Sequence, residues 1–151
     1  MKVLFDAIYA HFLSEGKLGL TELYLTEAPD DVVWPYGTFK TNITPGNGEF
    51  SINWEDCLIT FALFSDVVGH TEVCNLFQAL KDAFDKHDLD VIGYEPISLI
   101  REPAILRKVK GIWRYDVDYR LLVAKKPGTR HQVSATTFLS SAVLGKLTVT
   151  P

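Results

Sequence analysis

Apolar residues recur along this chain with two different periods, and the change from one to the other marks out its elements. Near the start, Leu4, Phe5, Ile8 and Phe12, with the adjoining Tyr9 and Leu13, fall three and four apart. That spacing gives a helix one apolar face, and Gly16 ends the run. Thr21 to Thr26 predicts a short strand, and after the Pro29-Asp30-Asp31 turn the stretch Val32 to Phe39 predicts a second. Pro35 has no N–H to give to a ladder, so this second strand lies at an edge or begins after the proline. Pro45-Gly46-Asn47-Gly48 reads as a turn, and Glu49 to Phe64 beyond it is rich in aromatic and β-branched residues, which together make a hairpin. Inside that long strand the apolar side changes: Phe50, Ile52 and Trp54 take even positions, Ile59, Phe61 and Leu63 odd ones. A β-bulge between Glu55 and Leu58 would keep one buried face continuous; the alternative is a strand covered on both faces in its second half.

From Thr71 the helical period returns. Val73, Leu76, Phe77, Leu80 and Phe84 form a stripe with Lys81, Asp82, Asp85 and Lys86 mostly opposite, ending near His87-Asp88. Val91 and Ile92 make a short extended piece, Ile97 to Ile100 a strand, and Glu102-Pro103 a break, followed by Ile105 to Lys110. The last strand has the sharpest alternation: Trp113, Tyr115, Val117, Tyr119, Leu121 and Val123 on one face, Arg114, Asp116, Asp118 and Arg120 on the other. One face is buried and the other wet. The order is α-β-β-β-α-β-β-β, an α+β domain with two amphipathic helices packed on a largely antiparallel sheet. This domain takes residues 1–126. Residues 127–151 turn to Ser, Thr, Ala and small apolar residues without acid, and are expected to form an arm or a disordered tail whose removal leaves the domain folded.

Composition agrees with one domain. The chain has 151 residues, 47% of them apolar and 23% charged, enough to build a sizeable core and too apolar for a disordered chain. Apolar runs such as Cys57 to Phe64 fall far short of the roughly 20 residues that span a bilayer. Met1 to Leu13 contains Asp6 and His11 and lacks a basic start and a cleavage site, so neither a membrane span nor an export signal is expected. The net charge of −4 is unevenly spread. Residues 1–124 hold 11 Lys and Arg against 19 Asp and Glu, a balance of −8, while residues 125–151 hold Lys125, Lys126, Arg130 and Lys146 and no acid. Cys57 and Cys74 fall on a strand and a helix without zinc-ligand spacing and read as buried, reduced thiols.

Catalytic motifs are absent: there is no phosphate-binding glycine loop, no Gly-x-Ser-x-Gly elbow and no His-Glu-x-x-His, and His11, His70, His87 and His131 are scattered. Asp116 and Asp118, about 7 Å apart on one strand face, could hold a divalent metal in a hydrolase, or each could pair with Arg114 or Arg120 in a solvated ladder. Arg107, Lys108, Lys110 and Arg114 form a basic cluster that suits a phosphate or an acidic partner, or simply a solvated hairpin turn. Asn42-Ile43-Thr44 matches the glycosylation triplet, which has no export signal to support it. Trp34, Tyr36, Trp54, Trp113, Tyr115 and Tyr119 alternate with polar residues, as core, subunit-interface or ligand-cavity positions do.

The layout resembles the tail-completion or tail-terminator proteins of long-tailed bacteriophages. The resemblance covers residues 1–125 and rests on the N-terminal amphipathic helix, Thr21 to Thr26, Ala28-Pro29 and Trp34-Pro35-Tyr36. It continues in the strand ending Phe64-Ser65-Asp66, the helix with Leu76, Leu80 and Phe84, and the Arg114 to Val123 strand. It implies a structural, non-enzymatic virion protein without catalytic, metal or cofactor residues. Such a protein is made in the host cytoplasm and forms a homo-hexameric ring at the head-to-tail junction. Its partners would be the tail tube protein and a head-completion or connector protein, with DNA passing through unread and no membrane. Candidate partner-contact residues are Arg107, Lys108, Lys110, Arg114, Asp116, Asp118, Arg120, Lys126 and Arg130. The basic segment after Lys126 departs from the shortest members of the family and would reach a neighbouring subunit or ring. A head-completion protein of the neck and a small-ligand-binding domain are the alternatives.

Overall fold

Two helices lie on one face of a six-stranded sheet in the computed structural model of the chain, which describes residues 2–45, 54–85 and 87–126. The elements are α1 (Lys2–Ser14), β1 (Leu23–Leu25), β2 (Tyr36–Pro45), β3 (Trp54–Ser65), α2 (Thr71–Phe84), β4 (Tyr94–Arg101), β5 (Ile105–Val109) and β6 (Ile112–Lys125). Class and order are those that the periodicity predicts. The strands lie in the order β1-β2-β3-β6-β4, and β5 takes the stretch of β6 that β4 leaves free.

Local chemistry explains the boundaries. Leu4, Ile8 and Phe12 of α1 are buried, whereas Leu13, at the end of the stripe, is exposed. Gly16 takes a left-handed φ of 68° and opens a short 3-10 turn, Gly16–Gly19. β1 is shorter than its sequence run and pairs in parallel with β2, from Leu23↔Gly37 to Leu25↔Phe39. β2 begins immediately after Pro35, the residue without an N–H. It pairs antiparallel with β3 from Tyr36↔Phe64 to Pro45↔Glu55. The two strands of the predicted hairpin therefore pair; Gly46-Asn47-Gly48 of its turn and residues 49–53 of its second strand lie outside the described residues, as does the extension 127–151.

The bulge expected between Glu55 and Leu58 is not formed. β3 is flanked on both sides, by β2 and by β6, and keeps register with both without interruption. An inserted residue would break two ladders at once, so the period of two wins over the apolar pattern. Cys57, Ile59, Phe61 and Leu63 consequently face the helices, while Trp54 and Leu58 fall on the opposite face, where Ala62 is also buried. The register shift that does occur lies in β4 between Pro96 and Ser98, at an outer strand where a single ladder is affected.

The core lies between the helices and the inward residues of the sheet. Phe61, Phe84 and Tyr119 meet there, with ring centroids 5.1 Å (Phe61 to Phe84), 6.0 Å (Phe61 to Tyr119) and 5.8 Å (Phe84 to Tyr119) apart. Val117, Leu121 and Val123 of β6 continue the same buried row, and Leu89 and Val91 close it after α2. Ser65 ends β3 with its buried hydroxyl donating to Glu72 Oε1 at 2.8 Å, which ties the strand to the first turn of α2. Both cysteines are free thiols; Cys57 is buried as expected, and Cys74 is half-buried.

Candidate functional site

Among the described residues no helix covers the outward face of the sheet, and the alternation of β6 decides what it displays. Arg114, Asp116, Asp118 and Arg120 stand opposite Phe64, Ala62, Thr60 and Leu58 of β3. Asp116 is the centre of a compact ion cluster. It accepts from Arg114 Nε at 2.8 Å and from Arg107 Nε at 2.8 Å, and its side chain is 13% exposed. Arg107 reaches it because Arg107 on β5 lies directly across from Arg114 on β6.

The second half of the expected ladder is different. Arg120 does not pair with Asp118; it bonds Asp56 Oδ2 on β3 at 3.3 Å and Glu102 Oε1, just past β4, at 3.2 Å. Its long side chain reaches a carboxylate on β3 and one just past β4 more easily than one on its own strand two residues back. Asp118 has no side-chain hydrogen bond or ion pair among the described residues, and its carbonyl accepts the Glu102 N–H at 2.8 Å. With Asp116 held by two arginines, the pair is not a preformed metal site, and no group of three or more His, Cys, Asp or Glu able to hold a metal occurs among the described residues.

The rest of the basic cluster forms a hairpin. Val109 pairs with Ile112 across Lys110-Gly111, whose φ values of 51° and 80° are those of a two-residue turn with both central residues left-handed. Lys108 points to the other side, its Nζ 5.0 Å from the centre of the Trp113 ring, and Trp113 Nε1 donates to the Val68 carbonyl at 3.1 Å. Lys126 lies at the far end of β6, exposed, with its N–H bonded to the Gly93 carbonyl at 3.0 Å. The structure therefore brings Arg107, Arg114 and Asp116 together, leaves Arg120 and Asp118 nearby, and sets Lys126 apart. Arg130 lies outside the described residues.

Beside the ion cluster is an aromatic patch. Tyr36 stacks on Phe64 at 4.8 Å, Trp34 meets Tyr36 edge-on at 4.8 Å, and the Arg114 guanidinium lies 5.3 Å above Phe64. Partial burial pushes the Tyr36 phenol up, while the nearby Arg114 charge pulls it back. These rings lie on the open face of the sheet. Trp113, Tyr115 and Tyr119 face the helices instead, with Tyr115 stacked on Phe77 at 4.1 Å. Two open grooves flank α1, one of about 440 Å³ against residues 88–92 and one of about 340 Å³ against β1.

Two groupings have no signal in the sequence. Tyr119 Oη donates to Asp85 Oδ1 at 2.6 Å, and Arg101 Nε binds the same carboxylate at 3.1 Å. His11 and His87 bring their rings to 5.8 Å, with His11 Nε2 2.7 Å from the Ala83 carbonyl. In both cases the partners lie on different elements, and packing alone joins them.

No protein-family model matches this chain, and no curated protein does. Among solved structures, the fold is similar to that of a chain in the virion of a native gene transfer agent particle. The two share 18% sequence identity, and the match covers 79% of this chain and 92% of the other at a TM-score of 0.69.

Proposed function

We propose that this chain is a structural, non-enzymatic virion protein of a tailed bacteriophage or phage-like particle, acting where the tail meets the head. In this reading a hexameric ring of the chain caps the tail tube, contacts the tube protein on one side and a head-completion or connector protein on the other, and lets DNA pass. The observation that carries it is the fold shared with a chain of a virion over nearly all of that chain's length. The resemblance of residues 1–125 to tail-terminator proteins gives the finer position. The open, ion-paired sheet face, with Arg107, Arg114 and Asp116 beside the Trp34, Tyr36 and Phe64 rings, suits contact with other proteins. The acidic balance of residues 1–124 suits a channel that does not hold passing phosphates.

The test is location. Purified particles are analysed by mass spectrometry for the chain and imaged with a chain-specific label. The reading expects a small fixed copy number and label at the head-to-tail junction. Label at the junction on tailless heads supports a head-completion protein instead, and absence of the chain from purified particles rejects the virion role.

A further inference from the structure

The β5–β6 hairpin and the segment around β1, on opposite sides of the sheet, carry opposite charge, and each exposes apolar side chains. On one side β5 pairs, among the described residues, with β6 alone and is exposed throughout, Ile105 by 59% and Val109 by 52%. Residues 103–115 contain Arg107, Lys108, Lys110 and Arg114 and no acid. Asp116 neutralises part of this charge, while Lys108 and Lys110 have no carboxylate partner among the described residues.

On the other side β1 pairs, among the described residues, with β2 alone. Residues 18–39 contain Glu22, Glu27, Asp30 and Asp31 and no Lys or Arg. Glu22 is engaged by the Tyr9 hydroxyl and the Leu23 N–H, whereas the other three acids form no ion pair among the described residues. Because β1 and β2 are parallel, the chain returns between Thr26 and Tyr36 to the start of the pair. Thr21 Oγ1 holds the end of that return, donating to the Pro35 carbonyl at 2.9 Å, and Asp30 and Asp31 lie within it, both exposed. The 340 Å³ groove between α1 and β1, with Leu13 and Leu25 on its rim, lies on the same side.

We propose that the β5–β6 hairpin of one copy docks on the β1 side of a second copy of this chain. Lys108 and Lys110 meet Asp30 and Asp31, and the exposed Ile105 and Val109 cover the apolar groove. Charge complementarity selects this pairing: hairpin against hairpin would set lysines against lysines, and the β1 side against itself would set acid against acid. A contact between two different patches leaves one free patch at each end, so it repeats from copy to copy and closes into a ring when the rotation allows. The proposal rests on the ring reading and names the surfaces that would build it.

Two charge-reversed proteins test it, Lys108→Glu with Lys110→Glu and Asp30→Lys with Asp31→Lys, all at exposed positions, with circular dichroism to check that each folds. Mass is followed by light scattering across concentration. Each variant alone should associate on the order of tenfold or more weakly than the wild type, and an equal mixture of the two should recover association, because each supplies the side that the other retains. A mixture no better than its components, or variants that associate like the wild type, overturns the proposal. Carbodiimide cross-linking of mixed isotopically light and heavy wild-type chains covers the case of weak association. Links between copies joining Lys108 or Lys110 to Asp30 or Asp31 support the contact, and a monomeric protein without them overturns it. Failure here leaves the virion role standing, because that role fails only when the chain is missing from particles.

Discussion

Tyr119 is fully buried and still places its hydroxyl on the Asp85 carboxylate, which Arg101 also binds. Burial first, and the Asp85 hydrogen bond second, hold this phenol far above its ordinary pKa, so it remains a neutral donor. The pair ties the middle of β6 to the end of α2. Tyr119→Phe keeps the ring and removes the donor to a charged acceptor, which should cost about 1–3 kcal/mol, read as a lower urea midpoint with an unchanged slope. Cys57 makes a second residue-scale test. Burial, with the Glu55 and Asp56 charges behind it, pushes its thiol from 9.0 up to about 11. The folded state therefore favours the neutral thiol. This stabilisation is complete below pH 9 and is lost as pH rises toward about 11, where the unfolded chain ionises first. At pH 8 a thiol reagent should label half-buried Cys74 in the native protein and reach Cys57 only on unfolding.

At the scale of elements, β3 organises the molecule. It pairs along its described length with both β2 and β6 and carries Phe61 into the centre of the core, against Phe39, Phe84 and Tyr119. Phe61→Ala should cost about 3–5 kcal/mol in chemical denaturation, because an aromatic ring is lost where three others cannot close the space. The fold is most legible in the sequence where an element is long and periodic. α2 from Thr71 and the alternation of β6 come out as written, since each buries one face and exposes the other. It is least legible where a neighbour decides. The bulge fails because β3 is locked on both sides, and β1 is shortened by a parallel partner that only the folded chain supplies. Within the candidate site, Arg114 with Asp116 was legible from their spacing, whereas Arg107 joins them across a ladder and Arg120 turns to Asp56 and Glu102 on other strands.

For the molecule as a whole, the outward face of the sheet and the placement of β1 and the β5–β6 hairpin on opposite sides follow from strand order, which local periodicity does not contain. β6 shows that one face of the sheet is wet; that β1 and β5 end up on opposite sides is known only once β3 and β6 are seen to pair. One detail of that order has a bearing on solubility. β4 and β5 share the same side of β6 end to end, interrupted at Glu102-Pro103, with Ile97 bulged after Pro96. The free rim is thus cut into short lengths, and none offers the long flat row of backbone groups on which strands stack into fibres. Replacing Pro96 and Pro103 with threonine should lengthen that row, and thioflavin fluorescence on prolonged incubation should rise above the wild-type level. The unmutated chain should stay at baseline fluorescence under the same conditions, because its interrupted rim gives an incoming strand few consecutive backbone partners.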